Sequence, residues 1–165
     1  MYRIGLGQDS HKIVIHKEKV NKPLTLGGIV IDEQIEVLAD SDGDMIIHSL
    51  CNALNTAIGR GSFDEYAGPL YKKGIKDSKK YLLAVCDQIK EKGYQINNIS
   101  IAIEAGRPRI EKNRTRIAES LSSLLHLEKT RIGISCISGN GLTSFSMGKG
   151  IHCNCIVSLK NIHND

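Results

Sequence analysis

Three residues in the first third of the chain, Asp9, His11 and His48, carry side chains that commonly bind divalent metal ions. Asp9 and His11 are two positions apart, so on a strand they would share one face. One carboxylate and two imidazoles suit Zn²⁺ or a similar ion and leave one coordination position open for a substrate, which is the catalytic pattern. Spacing alone nevertheless favours the alternative, an acidic residue and two unrelated histidines, because Asp-x-His is a common pattern.

The run Ser41–Asp44 precedes His48 and consists of short polar residues typical of a helix start. Asp44 lies one helical turn before His48, so we expect its carboxylate to accept the free ring N–H of that histidine. The start of such a helix also directs backbone N–H groups and a positive dipole outwards, which favours phosphate. The alternative for this run is a helix cap with no further role.

Two later segments have residue types that could contact phosphate. The glycine-rich run Ser138–Ser144 would let backbone N–H groups approach phosphate oxygens closely. It lacks the lysine of a Walker A motif, so a plain turn is the better interpretation of this run alone. Arg107 and Arg109 flank Pro108, and guanidinium groups pair well with phosphate. Two solvated arginines on a turn are an equal alternative.

The apolar pattern predicts helices alternating with strands, and therefore an α/β or α+β fold with helices covering one sheet. Strands are predicted at Tyr2–Gln8, at Leu24–Ile31 with a turn at Gly27-Gly28, and at Ile96–Glu104, Ile132–Ile137 and Ile151–Leu159. Helices are predicted at Met45–Ile58, Ser78–Lys92 and Glu111–Leu125. The first strand is expected to end at Asp9, with a connector at Asp32–Asp40 and a long, lid-like loop at Gly59–Lys76.

Composition sets the class of the protein. A chain of 165 residues with 41% hydrophobic and 24% charged residues fits one globular domain, residues 1–165. No apolar run approaches a membrane span and no leader pattern is seen, so a cytoplasmic location is expected. A net charge of +4 without an aromatic-interleaved basic motif argues against nucleic acid as a partner. Five cysteines without zinc-ribbon spacing indicate reduced thiols, with a cysteine metal site as the weaker alternative.

Taken together, these segments resemble the 2-C-methyl-D-erythritol 2,4-cyclodiphosphate synthase family of the non-mevalonate pathway, which makes the isoprenoid precursor isopentenyl diphosphate. The matching stretches are Arg3–His11, Leu26–Ile31, Ser41–Asp44 with His48 and Ala53-Leu54, Gly74 with Asp77-Ser78, Arg107–Arg109, and Gly148–Ile151. Their order and spacing run nearly from end to end, so the match is specific although each piece alone is not.

The resemblance implies a single mixed sheet with helices on one face, and a homotrimer whose sheets face the central axis and whose active sites lie between subunits. It implies that Asp9, His11 and His48 hold a Zn²⁺-type ion. Ser138 would stand where the family places a hydroxyl that stabilises the transition state, and Asp40 at its other catalytic position. The implied substrate contacts are Asp9, Ser10, His11, Asp40, Ser41, Ser62, Phe63, Asp64, Ala105, Gly106, Arg107, Pro108, Arg109, Ile110, Ile137, Ser138, Gly139 and Asn140.

The reaction that the resemblance implies is that of a phosphorus–oxygen lyase. The 2-phosphate of 4-diphosphocytidyl-2-C-methyl-D-erythritol 2-phosphate attacks the β-phosphorus of the same molecule, expels CMP and closes a cyclic diphosphate. No protein nucleophile is needed, because the pocket aligns two phosphates and bound ions spread the developing charge. Mg²⁺ or Mn²⁺ between the phosphates is the second ion implied.

The chain departs from the family pattern on the phosphate side. Asp40 replaces a usual histidine, Gly61–Asp64 replaces Gly-Asp-Ile-Gly, and Ile137–Asn140 replaces Thr-Thr-Thr-Glu. Asn140 offers only a neutral oxygen where the family glutamate ligates the second ion. These departures keep two alternatives open: a catalytically lapsed homologue that binds metal and nucleotide, and a metal-dependent phosphohydrolase that uses water.

Overall fold

The computed structural model describes residues 1–62 and 64–162, with the backbone alone described at 64–67. Within these residues one sheet contains β1 (Tyr2–Ile15), β2 (Pro23–Leu26), β3 (Ile29–Leu38), β4 (Tyr94–Glu104), β5 (Ile132–Ile137) and β6 (Gly150–Asn161). The helices are α1 (Met45–Ala57), α2 (Asp64–Lys72), α3 (Ser78–Glu91) and α4 (Arg114–Leu125). The strand order is β2-β3-β1-β6-β4-β5, and β4 and β5 run parallel while the other neighbours run antiparallel.

The helices cover one face of this mixed sheet, as the α+β interpretation predicts. Ile99, Ile101 and Ile103 alternate along β4 and are buried against the helical layer. Helix α1 lies directly over β1 because Gly5 and Gly7 have no side chains, and a Cβ at either position would overlap the α1 backbone. This close approach places the first turns of α1 beside the middle of β1.

The other face of the sheet is exposed and partly apolar. Ile4 and Leu6 of β1 are 72% and 60% exposed, and Ile156 of β6, the cross-strand partner of Leu6, is 49% exposed. These adjacent side chains form an exposed apolar patch on this face of the sheet.

The expected end of the first strand at Asp9 is wrong. Strand β1 continues to Ile15, so Asp9 and His11 lie inside the strand and pair with Cys153 and Ile151 of β6. The strand continues because β3 begins to pair with β1 at Lys12, where the pairing with β6 ends. The alternation of side chains still directs Asp9 and His11 to one face, which is the face covered by α1.

Two other boundaries also differ. The segment expected to be a connector, Asp32–Asp40, is mostly strand, since β3 runs to Leu38. The expected loop Gly59–Lys76 contains α2, a short helix that includes Pro69. Because glycine and proline ordinarily mark loops, the sequence of this segment predicted a loop where the helix lies. Among the described residues, no helix is long and apolar enough to cross a membrane.

Candidate metal centre and substrate pockets

Asp9, His11 and His48 converge at the contact between β1 and α1. Asp9 Oδ2 lies 3.0 Å from His48 Nδ1 and 3.1 Å from His11 Nε2. Ligand atoms about 2.0–2.1 Å from a tetrahedral Zn²⁺ lie about 3.3 Å apart, so the observed distances need little adjustment. The three side chains each offer one ligand atom within 4.8 Å of the others, and therefore could hold a metal ion.

An unsatisfied nitrogen supports this fit. His11 Nε2 is buried, and among the residues that the structure describes it has no hydrogen-bond partner of acceptable geometry. Buried polar atoms without partners are rare because they are costly, and each needs an explanation. A metal ion bound by His11 Nε2 together with Asp9 and His48 would satisfy this atom.

Asp9 has the charge state that a ligand needs. Burial raises the pKa of its carboxyl group, but the close imidazoles of His11 and His48 outweigh burial and hold that pKa well below its ordinary value. The backbone N–H of Ser10 also donates to Asp9 Oδ1 at 2.9 Å. A carboxylate that stays ionised near neutral pH is ready to bind a cation.

The second ring nitrogen of His48 contacts hydroxyl groups rather than Asp44. His48 Nε2 is 2.7 Å from Ser78 Oγ and 3.4 Å from Ser41 Oγ. Ser78 in turn donates its hydroxyl hydrogen to Asp42. The expectation that Asp44 accepts the ring N–H of His48 is therefore wrong, since both ring nitrogens face other partners.

Asp44 has a structural role instead. Its carboxylate is fully buried and accepts hydrogen bonds from the backbone N–H groups of Gly27 (2.9 Å), Gly28 (2.6 Å) and Ile47 (3.0 Å). The residue caps α1 and ties it to the turn between β2 and β3. Burial raises its pKa to about 6, although the three backbone hydrogen bonds act in the opposite direction.

A cavity of about 350 Å³ opens beside Asp9, His11 and His48. Its lining residues are Asp9, His11, Ala39, Asp40, Ser41, His48, Asn52, Ser62, Gly68, Tyr71 and Tyr81. Most of the predicted contacts from the first part of the chain thus meet in one place. Ser10 is exposed and does not line the cavity, because its side chain alternates to the other face of β1. Phe63 and the side chain of Asp64 lie outside the described residues.

A separate cleft of about 100 Å³ is lined by six of the ten predicted cytidine and phosphate contacts from the later part of the chain. Its lining residues are Ile103, Ala105, Gly106, Arg109, Ile110, Glu111, Cys136, Ile137 and Ser138. Arg107, Pro108, Gly139 and Asn140 are not among them, although Asn140 Oδ1 accepts a hydrogen bond from Ser138 Oγ at 3.3 Å. The cleft and the cavity share no lining residue, so the predicted contacts form two groups within one chain.

Glu104 organises the loop that borders this cleft. Thr143 Oγ1 donates to Glu104, and the Thr143 backbone N–H donates to Ser146 Oγ at 2.8 Å. The Gly106 N–H donates to the carbonyl oxygen of Phe145 at 2.9 Å. The glycine-rich segment is thus tied to the end of β4 by specific hydrogen bonds.

Sequence reasoning missed several residues beside the metal ligands. Asn52 lines the cavity four positions after His48, a helical spacing that could have identified it. Tyr71 belongs to α2, and no signal in the sequence places that helix over the ligands. Ser78 and Asp42 meet only because the starts of α1 and α3 are adjacent, which no local pattern predicts.

Lys22 lies under the turn that carries Asp40. Its ammonium group donates to the carbonyl oxygens of Ala39 and, at 3.1 Å, of Ser41. The contact holds the backbone on both sides of Asp40 and places a positive charge near an exposed carboxylate.

Comparisons with known proteins identify similar chains. A model of the YgbB family matches residues 2–160. A protein of Chlamydia caviae named 2-C-methyl-D-erythritol 2,4-cyclodiphosphate synthase is 33% identical over 160 residues, which cover 96% of this chain and 89% of that protein. A Plasmodium falciparum structure described as an IspF CDP complex has a TM-score of 0.84 and 31% identity, with 97% of this chain and 96% of that chain covered. A cyclodiphosphate synthase structure from Plasmodium vivax has a TM-score of 0.82 and 28% identity, with 98% and 99% covered.

Proposed function

The chain belongs to the YgbB family, and we propose that it catalyses the reaction for which its curated relatives are named. It converts 4-diphosphocytidyl-2-C-methyl-D-erythritol 2-phosphate to 2-C-methyl-D-erythritol 2,4-cyclodiphosphate and CMP. The reaction is an intramolecular phosphoryl transfer in isoprenoid biosynthesis. The observation that carries the proposal is the convergence of Asp9, His11 and His48 beside a cavity large enough for phosphates.

Zn²⁺ is the ion that we assign to this site, because one carboxylate and two imidazoles form a donor set that suits it. The unsatisfied Nε2 of His11 and the lowered pKa of Asp9 both support the fit. When bound, a divalent ion polarises phosphoryl oxygens and disperses the charge that develops on them. A second ion, Mg²⁺ or Mn²⁺, would bind more weakly here than with a glutamate, because Asn140 offers a neutral oxygen.

The residues of the chain bind and orient the two phosphates. Ser41 Oγ lies at the cavity wall near His48 and can donate to a phosphate oxygen. Asp40 stands beside the same position, where its negative charge opposes phosphate and Lys22 partly offsets it. Ser138, at the mouth of the separate cleft, supplies a hydroxyl that can donate to the transferring phosphoryl group.

The homotrimer is the assembly that we propose, with the exposed face of each sheet directed to the central axis. The separation of the metal cavity from the cleft at Ala105–Ile110 and Ile137–Ser138 supports this arrangement. A cavity of one subunit would then face the cleft of its neighbour, where the cytidine binds. The proposal includes a cytoplasmic location, which fractionation of the source cells would test.

Incubation of the purified protein with the substrate, followed by phosphorus NMR, tests the reaction. CMP together with a cyclic diphosphate is the expected result. Ring-open phosphates would identify a phosphohydrolase instead. Absence of product from a zinc-loaded protein would identify a catalytically lapsed homologue, and Asp40 and Asn140 would account for its lost activity. Asp9→Ala should lose bound zinc and turnover, whereas Asp87→Ala, a change of an exposed carboxylate on α3, should retain both.

A further inference from the structure

Ser78 lies between an imidazole and a carboxylate at the base of the metal cavity. Its Oγ is 2.7 Å from His48 Nε2, and the same hydroxyl donates to Asp42 Oδ1. The Ser78 side chain is fully buried and His48 is 6% exposed, so bulk water does not replace these partners. The three groups form one chain of hydrogen bonds, from Asp42 through Ser78 to His48.

The position of the Ser78 proton follows from the carboxylate. Asp42 Oδ2 accepts the Ser78 backbone N–H at 2.8 Å, while Asp42 Oδ1 faces the hydroxyl. An ionised carboxylate can only accept hydrogen bonds, and a serine hydroxyl has one hydrogen to donate. The hydroxyl therefore donates to Asp42 and accepts from His48 Nε2, which must carry a hydrogen.

This hydrogen sets the chemistry of the other ring nitrogen. A neutral imidazole with hydrogen on Nε2 has a lone pair on Nδ1. His48 Nδ1 is the atom 3.0 Å from Asp9 Oδ2, on the side where His11 Nε2 also points. The hydrogen-bond chain thus presents the lone pair of His48 to the metal position.

The hydroxyl of Ser78 is not needed to cap α3. The N-cap is Asp77, whose side chain accepts the backbone N–H of Lys79 at 3.0 Å. Asp42 is held in turn by its own backbone, since its N–H donates to the carbonyl oxygen of Lys76 at 3.2 Å. Both residues are therefore held in place by contacts other than the one between the Ser78 hydroxyl and His48.

We propose that Ser78 and Asp42 are positioning residues that fix the tautomer of His48 and thereby strengthen metal binding. The inference rests on the metal site of the proposed function. Outer partners of metal-binding histidines typically change metal affinity by about 10-fold to 100-fold when they are removed. Ser78→Ala should weaken Zn²⁺ binding by that amount without loss of the fold, since only one oxygen atom is removed.

Asp42→Asn provides a sharper variant. The asparagine oxygen must face the Ser78 backbone N–H, so its amide N–H₂ would face the Ser78 hydroxyl. That hydroxyl would then accept from Asn and donate to His48 Nε2, which moves the ring hydrogen to Nδ1. We expect this variant to bind Zn²⁺ at least as weakly as Ser78→Ala, although its shape is nearly unchanged. Asp77→Asn, a neighbouring change that keeps the helix cap, is the matched control.

The measurement is Zn²⁺ affinity by competition with a chromogenic chelator, together with the visible spectrum of the Co²⁺-loaded protein and the thermal midpoint of each variant. A double variant, Ser78→Ala with Asp42→Asn, should bind Zn²⁺ like Ser78→Ala alone, because the other hydrogen bonds of Asp42 are to the backbone N–H groups of Ser78 and Asp44 and only the Ser78 hydroxyl links it to His48. Additive losses would overturn the inference, as would wild-type affinity in a folded Ser78→Ala or Asp42→Asn. If the wild-type protein itself binds no Zn²⁺, the metal site of the proposed function fails first and the inference fails with it.

Discussion

The contribution of the buried carboxyl group of Asp44 to the free energy of unfolding depends on pH. Its pKa is raised from an ordinary value of 3.8 to about 6 by burial, despite three backbone N–H donors. A raised pKa means that the native state binds the proton more tightly than the unfolded chain does. The stabilisation from Asp44 is therefore complete below pH 3.8 and is lost as the pH rises through about 6.

Asp44→Asn cannot ionise, so its stability should lack this dependence. Between pH 4 and pH 7, the free energy of unfolding of the wild type should fall relative to that of the variant by up to about 3 kcal/mol. Urea unfolding of both metal-free proteins across this range measures the difference. A difference that is constant with pH would mean that Asp44 keeps an ordinary pKa in the folded protein.

Asp40 invites a prediction about the ligand. An exposed carboxylate beside a diphosphate repels it by about 1 kcal/mol at 4 Å in water, which corresponds to roughly fivefold in affinity. Asp40→Asn should therefore bind CDP about fivefold more tightly in isothermal titration, and the gain should shrink as salt is added. Asp87→Asn serves as the control for net charge. Weaker binding by Asp40→Asn would instead show that this carboxylate accepts a hydrogen bond from the nucleotide.

At the scale of elements, the contact between β1 and α1 positions the proposed metal ligands. A Cβ at Gly7 would overlap the carbonyl oxygen of Ser49, the residue next to His48. Gly7→Ala must push α1 away from β1, and so separate His48 from Asp9. We expect a loss of about 3 kcal/mol of unfolding free energy, typical of overpacking, and a clear loss of bound zinc.

The matched control is Gly133→Ala, a glycine on β5 whose added methyl group would meet nothing closer than 3.8 Å. Thermal midpoints and zinc content by atomic emission measure both variants. Normal zinc content in a destabilised Gly7→Ala would contradict the claim that this contact sets the ligand geometry. The contact would then contribute to the stability of the fold only.

The sequence predicts elements whose residue pattern is local, but it does not predict element boundaries that depend on partners distant in sequence. The alternation of Ile99, Ile101 and Ile103 predicts β4 because one face of the strand is buried along its length. The length of β1 depends on β3, which pairs with it only from Lys12, and no residue near Asp9 indicates that pairing. For the same reason the sequence does not predict the contact between Ser78 and His48. The sequence places Ser78 only at the start of a helix, and the contact forms because α1 and α3 pack together.

Asp9, His11 and His48 illustrate the limit for a site. Spacing alone leaves them unrelated, because 37 positions separate His11 from His48 and no periodicity links a strand to a helix. The resemblance across the whole chain is what joins them, and the structure brings their ligand atoms together. Asp44 has the favoured helical spacing to His48, but its carboxylate instead accepts hydrogen bonds from the backbone N–H groups of Gly27 and Gly28.

At the scale of the whole molecule, the metal site and the substrate pocket have different requirements. All three proposed metal ligands lie in one chain, and β1 and α1 position them. The cleft assigned to cytidine lies at the carboxyl ends of β4 and β5 and shares no lining residue with the metal cavity. If neighbouring subunits complete each pocket, then metal binding should survive dissociation of the trimer while turnover should not.

Leu6→Lys tests this separation, because it places a charge in the exposed apolar patch formed with Ile4 and Ile156. Burying an unpaired ammonium in an interface is costly, so the variant should elute as a monomer in size-exclusion chromatography with light scattering. It should keep its zinc and lose CMP release by at least about 100-fold, since the neighbouring cleft no longer positions the cytidine. Leu83→Lys, a leucine that is 45% exposed on α3, should leave assembly and turnover unchanged. A monomeric Leu6→Lys with full turnover would show that one chain contains the complete pocket.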